Sequence, residues 1–116
     1  MTLIGLGLDI VEIERVKRLA QRNRRFLARV FSREEIRYCE PKRKKWQHFA
    51  VRFAAKEAVW KALGRDGLAL NAISVRRDAR GRPSIAIAGR RLPVRLEISL
   101  SHSDVYAMAI AMAYKA

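Results

Sequence analysis

Arg52-Phe53-Ala54-Ala55-Lys56-Glu57-Ala58-Val59-Trp60-Lys61-Ala62-Leu63-Gly64 reads as a helix with its stop signal. At roughly 100° per residue, Ala55, Val59, Ala62 and Leu63 share one face. Glu57 and Lys61 fall close together on the opposite face, between Phe53 and Ala54. The first face is expected to pack and the second to be free for chemistry. Gly64 suits a C-terminal cap, because glycine reaches the left-handed conformation without steric cost. Taken alone, a Glu followed four residues later by Lys is a common solvated pair contributing about 0.2 to 0.5 kcal/mol. Its meaning depends on what other segments bring to it.

Near the N-terminus, Leu3-Ile4-Gly5-Leu6-Gly7-Leu8-Asp9-Ile10 alternates with period two, which predicts a strand. Ile4, Leu6, Leu8 and Ile10 occupy one face; Leu3, Gly5, Gly7 and Asp9 occupy the other. A strand face with two glycines lets another backbone or a ligand approach closely, with Asp9 at the end of the cleared lane. The alternative for Asp9 is to cap a helix opening at Val11.

Near the C-terminus, Val94 to Leu100 alternates as a strand and runs into Ser101-His102-Ser103-Asp104. Polar clusters at strand ends commonly bind or catalyse. A hydrolytic triad is not expected from residues so close in sequence with no Gly-x-Ser-x-Gly elbow. His102 is better placed as an anion ligand or a hydrogen-bonding loop residue.

Between these segments, Ile13, Val16, Leu19 and Ala20 mark an amphipathic helix, and Phe26, Leu27 and Val30 a short second one. Ser32-Arg33-Glu34-Glu35 is a capping-box pattern that would start a third, with Pro41 soon after its end. Ile73 to Arg77 and Ser84 to Ala88 look like strands around the turn Asp78-Ala79-Arg80-Gly81. Val105 to Tyr114 is a strand apolar on both faces: Val105, Ala107, Ala109, Ala111 and Ala113 against Tyr106, Met108, Ile110 and Met112. In a domain this small one of those faces would be covered by another subunit, or the strand would be buried within one. The expected fold class is α+β, with helices of the N-terminal half packed on an antiparallel sheet.

The 116 residues suit one domain, 1–116, with a single core. No repeat, signal peptide or apolar run near the roughly 20 residues of a membrane span is present, so a soluble, cytoplasmic protein is expected. Cys39 is the only cysteine, which excludes an internal disulfide and a multi-cysteine zinc site. The net charge of +14, from 25 Lys and Arg against 11 Asp and Glu, calls for an acidic partner or polyanionic ligand. Basic residues crowd the first helical region and Lys42 to Lys45. They are interleaved with Leu19, Phe26, Leu27 and Val30, without an aromatic ladder or a nucleic-acid motif. That pattern suits docking on an acidic protein at least as well as on nucleic acid.

Together Gly5-Leu6-Gly7-Leu8-Asp9-Ile10, Phe31-Ser32-Arg33-Glu34-Glu35, Arg52 to Ala58 with Lys61-Ala62-Leu63-Gly64, and Ser99-Leu100-Ser101-His102-Ser103 resemble holo-acyl-carrier-protein synthases. These are 4′-phosphopantetheinyl transferases of the small trimeric type, and the resemblance covers almost the whole chain. It implies transfer of 4′-phosphopantetheine from coenzyme A to a serine of apo acyl carrier protein, with release of 3′,5′-ADP, for fatty acid biosynthesis. It implies that Asp9 and Glu57 bind Mg²⁺ with the coenzyme pyrophosphate, that Glu57 is the candidate general base, and that Lys61 stabilises the departing phosphate. Arg52 and His102 would contact coenzyme phosphates with Lys61 nearby, and Gly81-Arg82-Pro83 would lie against the adenine. Arg15, Arg22, Arg25 and Arg29, with Leu19 and Phe26, would grip the acidic helix of the carrier protein. The coenzyme site would sit between subunits of a homotrimer. Two positions differ from the family: Trp60 stands where a small residue is usual, and Gly64-Arg65-Asp66-Gly67-Leu68 replaces a Gly-Thr-Gly-Ile-like stretch. The alternatives are a basic nucleic-acid-binding module, with Glu57 and Lys61 only a surface pair, and an inactive relative that binds carrier protein without transfer.

Overall fold

The alternation at the N-terminus forms a strand, β1 (Leu3–Glu12), that runs two residues beyond Ile10. In the computed structural model, which describes residues 1–64, 67–89 and 91–116, four helices follow: α1 (Ile13–Arg22), α2 (Phe26–Val30), α3 (Arg33–Cys39) and α4 (Lys45–Ala62). A single 3₁₀ turn (Leu70–Ala72) leads to β2 (Ile73–Arg77), β3 (Pro83–Ile87), β4 (Val94–His102) and β5 (Tyr106–Lys115). Because α1 starts at Ile13 with Glu12 as its N-cap, Asp9 is not a helix cap but a residue inside β1. Arg65 and Asp66, in the stretch that differs from the family, lie outside the described residues.

The strands form two antiparallel sheets, not one. β1, β5 and β4 lie side by side in that order, and β2 pairs with β3 as a separate hairpin. The hairpin turn closes where expected: the Gly81 N–H donates to the Asp78 carbonyl at 2.9 Å, and Gly81 has φ +79°, which favours glycine. Pairing puts Leu6 opposite Met112, Leu8 opposite Ile110 and Ile10 opposite Met108 on one face of the large sheet. On the other face Gly5, Gly7 and Asp9 align with Ala113, Ala111 and Ala109.

The small-residue face is the inner one, and α4 lies across it. A Cβ added to Gly7 would stand 1.8 Å from the Ala58 carbonyl oxygen, and one added to Gly5 would stand 1.9 Å from that of Ala62. The glycine-cleared lane is therefore filled by the backbone of α4, one of the two occupants anticipated. Ala54, Ala55, Ala58 and Ala62 are buried in the contact with Ala107, Ala109, Ala111 and Ala113. Small residues on both sides let backbones approach closely, and the aromatics fill the opposite flank. Phe31 and Phe49 are buried there with ring centroids 4.9 Å apart, each contributing about 1.5 to 3 kcal/mol through burial.

α4 is less simply two-faced than its sequence suggests, because Arg52 and Lys56 are buried too. Lys56 is fully enclosed and its Nζ donates to Glu35 Oε1 and to the Ile73 carbonyl. Glu35 performs three tasks: it completes the capping box through Ser32 N–H (3.0 Å), pairs with Lys56, and accepts the Val75 N–H (3.0 Å). These bonds tie α3, α4 and β2 into one unit. Burial pulls the Lys56 ammonium below its usual pKa, and the Glu35 carboxylate opposes that shift.

Candidate active site

β1 and the last turn of α4 bring Asp9 and Lys61 together across 52 residues of sequence. Lys61 Nζ donates to the Leu8 carbonyl at 2.9 Å and contacts Asp9 Oδ1 at 3.4 Å. The Asp9 side chain is only 18% exposed. Burial raises its pKa above the usual carboxylate value, and the Lys61 hydrogen bond and charge, with that of Arg15, only partly offset this. Glu57 is half-buried one helical turn before Lys61. A hard, desolvated carboxylate with a second carboxylate on the facing helix is an apt donor set for Mg²⁺, which accepts one or two carboxylates when substrate phosphates and water complete its shell. Among the described residues no group of three or more His, Cys, Asp or Glu could hold a metal.

A second set of expected residues lies elsewhere in the same chain. His102, at the end of β4, and Pro83, at the start of β3, border a cavity of about 330 Å³ together with Val51, Arg77 and Leu100. Gln47 Nε2 and His102 Nδ1 are 2.9 Å apart, so the Gln47 amide on α4 orients the His102 ring. Gly81 and Arg82 are exposed in the preceding turn, where Asp78 Oδ1 accepts the Arg82 N–H at 2.9 Å. Arg52 borders a neighbouring cavity of about 220 Å³; its guanidinium lies 4.4 Å from the Tyr38 ring centroid and donates to the His48 carbonyl at 3.3 Å. Arg52 and Lys61 are nine residues apart on α4, roughly 13 Å along the axis and half a turn around it. By helical pitch they project from opposite sides of the helix.

Arg15, Arg22, Arg25 and Arg29 are exposed around half-buried Leu19 and Phe26, whose ring also packs against Phe31 and Phe53. Arg15 is near enough to lower the Asp9 pKa, so this basic surface adjoins the Asp9 site. The sequence pattern does not single out Glu35, Lys56, Gln47 or Arg77 as partners in these arrangements, because each acquires its neighbour through long-range pairing.

The sequence profile of the 4′-phosphopantetheinyl transferase superfamily matches residues 5–111. The chain belongs to that superfamily. This transferase is 40% identical to the holo-[acyl-carrier-protein] synthase of Koribacter versatilis, over 92% of this chain and 94% of the relative. It is 38% identical to that of Geobacter sulfurreducens, over 95% and 96%. Its fold matches the crystal structure of the Bacillus anthracis holo-(acyl-carrier-protein) synthase in complex with CoA (3′,5′-ADP), with a TM-score of 0.88, 27% identity and full coverage of both chains. The family, the enzyme class and the α+β fold expected from the motifs are thus borne out. Among the described residues of the transferase, no helix is long and apolar enough to cross a membrane.

Proposed function

We propose that this transferase moves 4′-phosphopantetheine from coenzyme A to a serine of apo acyl carrier protein, as one domain in the cytoplasm, supplying holo carrier protein for fatty acid biosynthesis. The observation that carries the reading is the contact of Lys61 with Leu8 and Asp9, which gathers a carboxylate and an ammonium from two of the motifs beside Glu57. Bound between the Asp9 and Glu57 carboxylates, Mg²⁺ would neutralise charge on the pyrophosphate. Glu57 takes the proton of the serine hydroxyl as its oxygen attacks the β-phosphorus, and the bond from that phosphorus to the bridging oxygen breaks. The ammonium of Lys61 offsets charge on the departing 3′,5′-ADP. The basic surface of α1 and α2 holds the carrier protein beside Asp9.

The divergence of Arg52 and Lys61 supports a site shared between subunits, with Asp9, Glu57 and Lys61 from one and Arg52, His102 and the Gly81-Arg82-Pro83 turn from its neighbour. The apolar outer face of the large sheet supplies a contact for this: Leu6, Leu8 and Ile10 are 57 or 58% exposed in the single chain. A homotrimer built on that face would cover it. The test is mass measurement after mixing the chain with apo carrier protein, coenzyme A and Mg²⁺. A gain of one phosphopantetheine is expected, and no gain where a known transferase succeeds would overturn the reading.

A further inference from the structure

Among the described residues no hydrogen-bonded ladder joins the β2–β3 hairpin to the large sheet. Its first half is nevertheless buried, at Ile73, Ser74 and Val75. A strand paired with β3 on one edge leaves the C=O and N–H groups of its other edge in need of partners, and burial denies them water. The Ile73 carbonyl and the Val75 N–H lie two residues apart, on the same edge by strand period. The carbonyl accepts from Lys56 Nζ, and the Val75 N–H donates to Glu35 Oε2 at 3.0 Å. Lys56 and Glu35 also pair with each other. Together they present one donor and one acceptor to the edge of β2, as a neighbouring strand would.

A buried ion pair is a weak source of stability, since apolar side chains of similar volume often replace one at no cost. Its direction is what sets it apart. Packing of Ile73 and Val75 in the core is non-directional and does not fix the hairpin's place along α4. Two further ties, Ser74 Oγ to Ser32 Oγ at 2.7 Å and the exposed Arg76 fork to Glu34 at 3.0 Å, reach only the start of α3. Lys56 makes its bond to β2 from α4 itself. That helix has no slack of its own, because its backbone sits in the lane of Gly5 and Gly7 where even a Cβ would clash. Loosening the Lys56 bond would therefore shift the hairpin and leave Glu57 and Lys61 in place.

We propose that Lys56, paired with Glu35, is a positioning residue that clamps the β2–β3 hairpin to α4 and so sets where the Gly81-Arg82-Pro83 turn meets coenzyme. The proposal rests on the transferase reading above, which assigns that turn to the adenine and Glu57 and Lys61 to the chemistry. Lys56 is fully enclosed, so it acts only through the backbone it holds. The strand it grips at Ile73 ends at Arg77, where the turn begins. Coenzyme affinity thus depends on a pair that coenzyme never touches, whereas turnover of bound coenzyme does not.

The experiment uses Lys56→Met, and Lys56→Met with Glu35→Gln so that no unpaired carboxylate is left enclosed. Amide hydrogen exchange and steady-state transfer to apo carrier protein at varied coenzyme A are measured for each. Amides of β2 and β3 are expected to exchange roughly tenfold faster or more, with those of α4 and β5 within about twofold of wild type. KM for coenzyme A should rise roughly tenfold while kcat stays within about threefold. Equal acceleration in α4 and β5, unchanged exchange in the hairpin, or a fall in kcat at constant KM overturns the proposal. Loss of folding in both variants overturns it too, since a positional device is dispensable for the fold. If the wild type transfers nothing, the transferase reading fails separately, and the exchange pattern alone decides whether the clamp exists.

Discussion

Gly7→Ala tests whether backbone-to-backbone packing of β1 on α4 holds both the fold and the candidate site. The added Cβ would stand 1.8 Å from the Ala58 oxygen and 2.7 Å from its carbonyl carbon, roughly 1.6 Å short of the 3.4 Å where ordinary contact begins. Neither partner is the end of a flexible side chain. β1 is fixed by its ladder to β5 and α4 by its own hydrogen bonds, so the elements must separate. Overpacking a core costs typically about 1 to 3 kcal/mol, and a clash between two backbones belongs at the upper end. For a single domain that is a large part of the total stability, and the urea midpoint should fall by roughly 1 to 3 M at fixed protomer concentration. The same separation lengthens the Lys61 contacts to Leu8 (2.9 Å) and Asp9 (3.4 Å), so turnover of the folded fraction should fall as well. Gly64→Ala is the comparison: its Cβ meets nothing within 4 Å, and only the positive φ of +76° costs it, about 1 kcal/mol. A Gly7→Ala chain that unfolds within about 0.5 kcal/mol of wild type and transfers at the same rate would refute the reasoning.

Leu8→Lys, placing a charge in the apolar outer face, should yield monomers in sedimentation and abolish transfer while helix content is kept; a fully active monomer would refute the shared site. Glu35→Ala leaves the Lys56 ammonium enclosed without its carboxylate and should destabilise the chain by about 3 to 5 kcal/mol in urea. Adding Lys56→Met should recover part of that loss; no recovery would place the cost in the capping box instead. For Asp9 the folded pKa is raised above the usual 3.8, so above that raised value the fold bears the cost of a desolvated charge. Asp9→Asn should therefore match or exceed wild-type stability at neutral pH without metal, yet lose roughly 100-fold or more in Mg²⁺-dependent transfer. Wild-type Mg²⁺ affinity should likewise weaken on acidification at a higher pH than for an ordinary carboxylate, as measured by titration calorimetry.

What was legible in the sequence was local. The alternation of β1 and β5, the Ser32 to Glu35 capping box and the Asp78 to Gly81 turn each lie within a few residues, where steric and hydrogen-bonding rules act directly. Even the occupant of the glycine lane was anticipated in kind, because a strand without side chains admits a backbone. The pairing that buries Lys56 was not legible, since Glu35 lies 21 residues away and only the packed fold brings it there. Likewise α4 carries Arg52 and Lys61 on opposite sides, a divergence readable from helical pitch but meaningful only once each side has neighbours. Under the proposed reading that divergence links fold to function: Arg52 and Lys61 would serve two half-sites, neither of which one chain completes alone. The apolar face that β1 and β5 leave uncovered then has a chemical reason to be covered by another copy of the chain, because association would bring the Arg52 and His102 half of one subunit to the Asp9 and Lys61 half of the next.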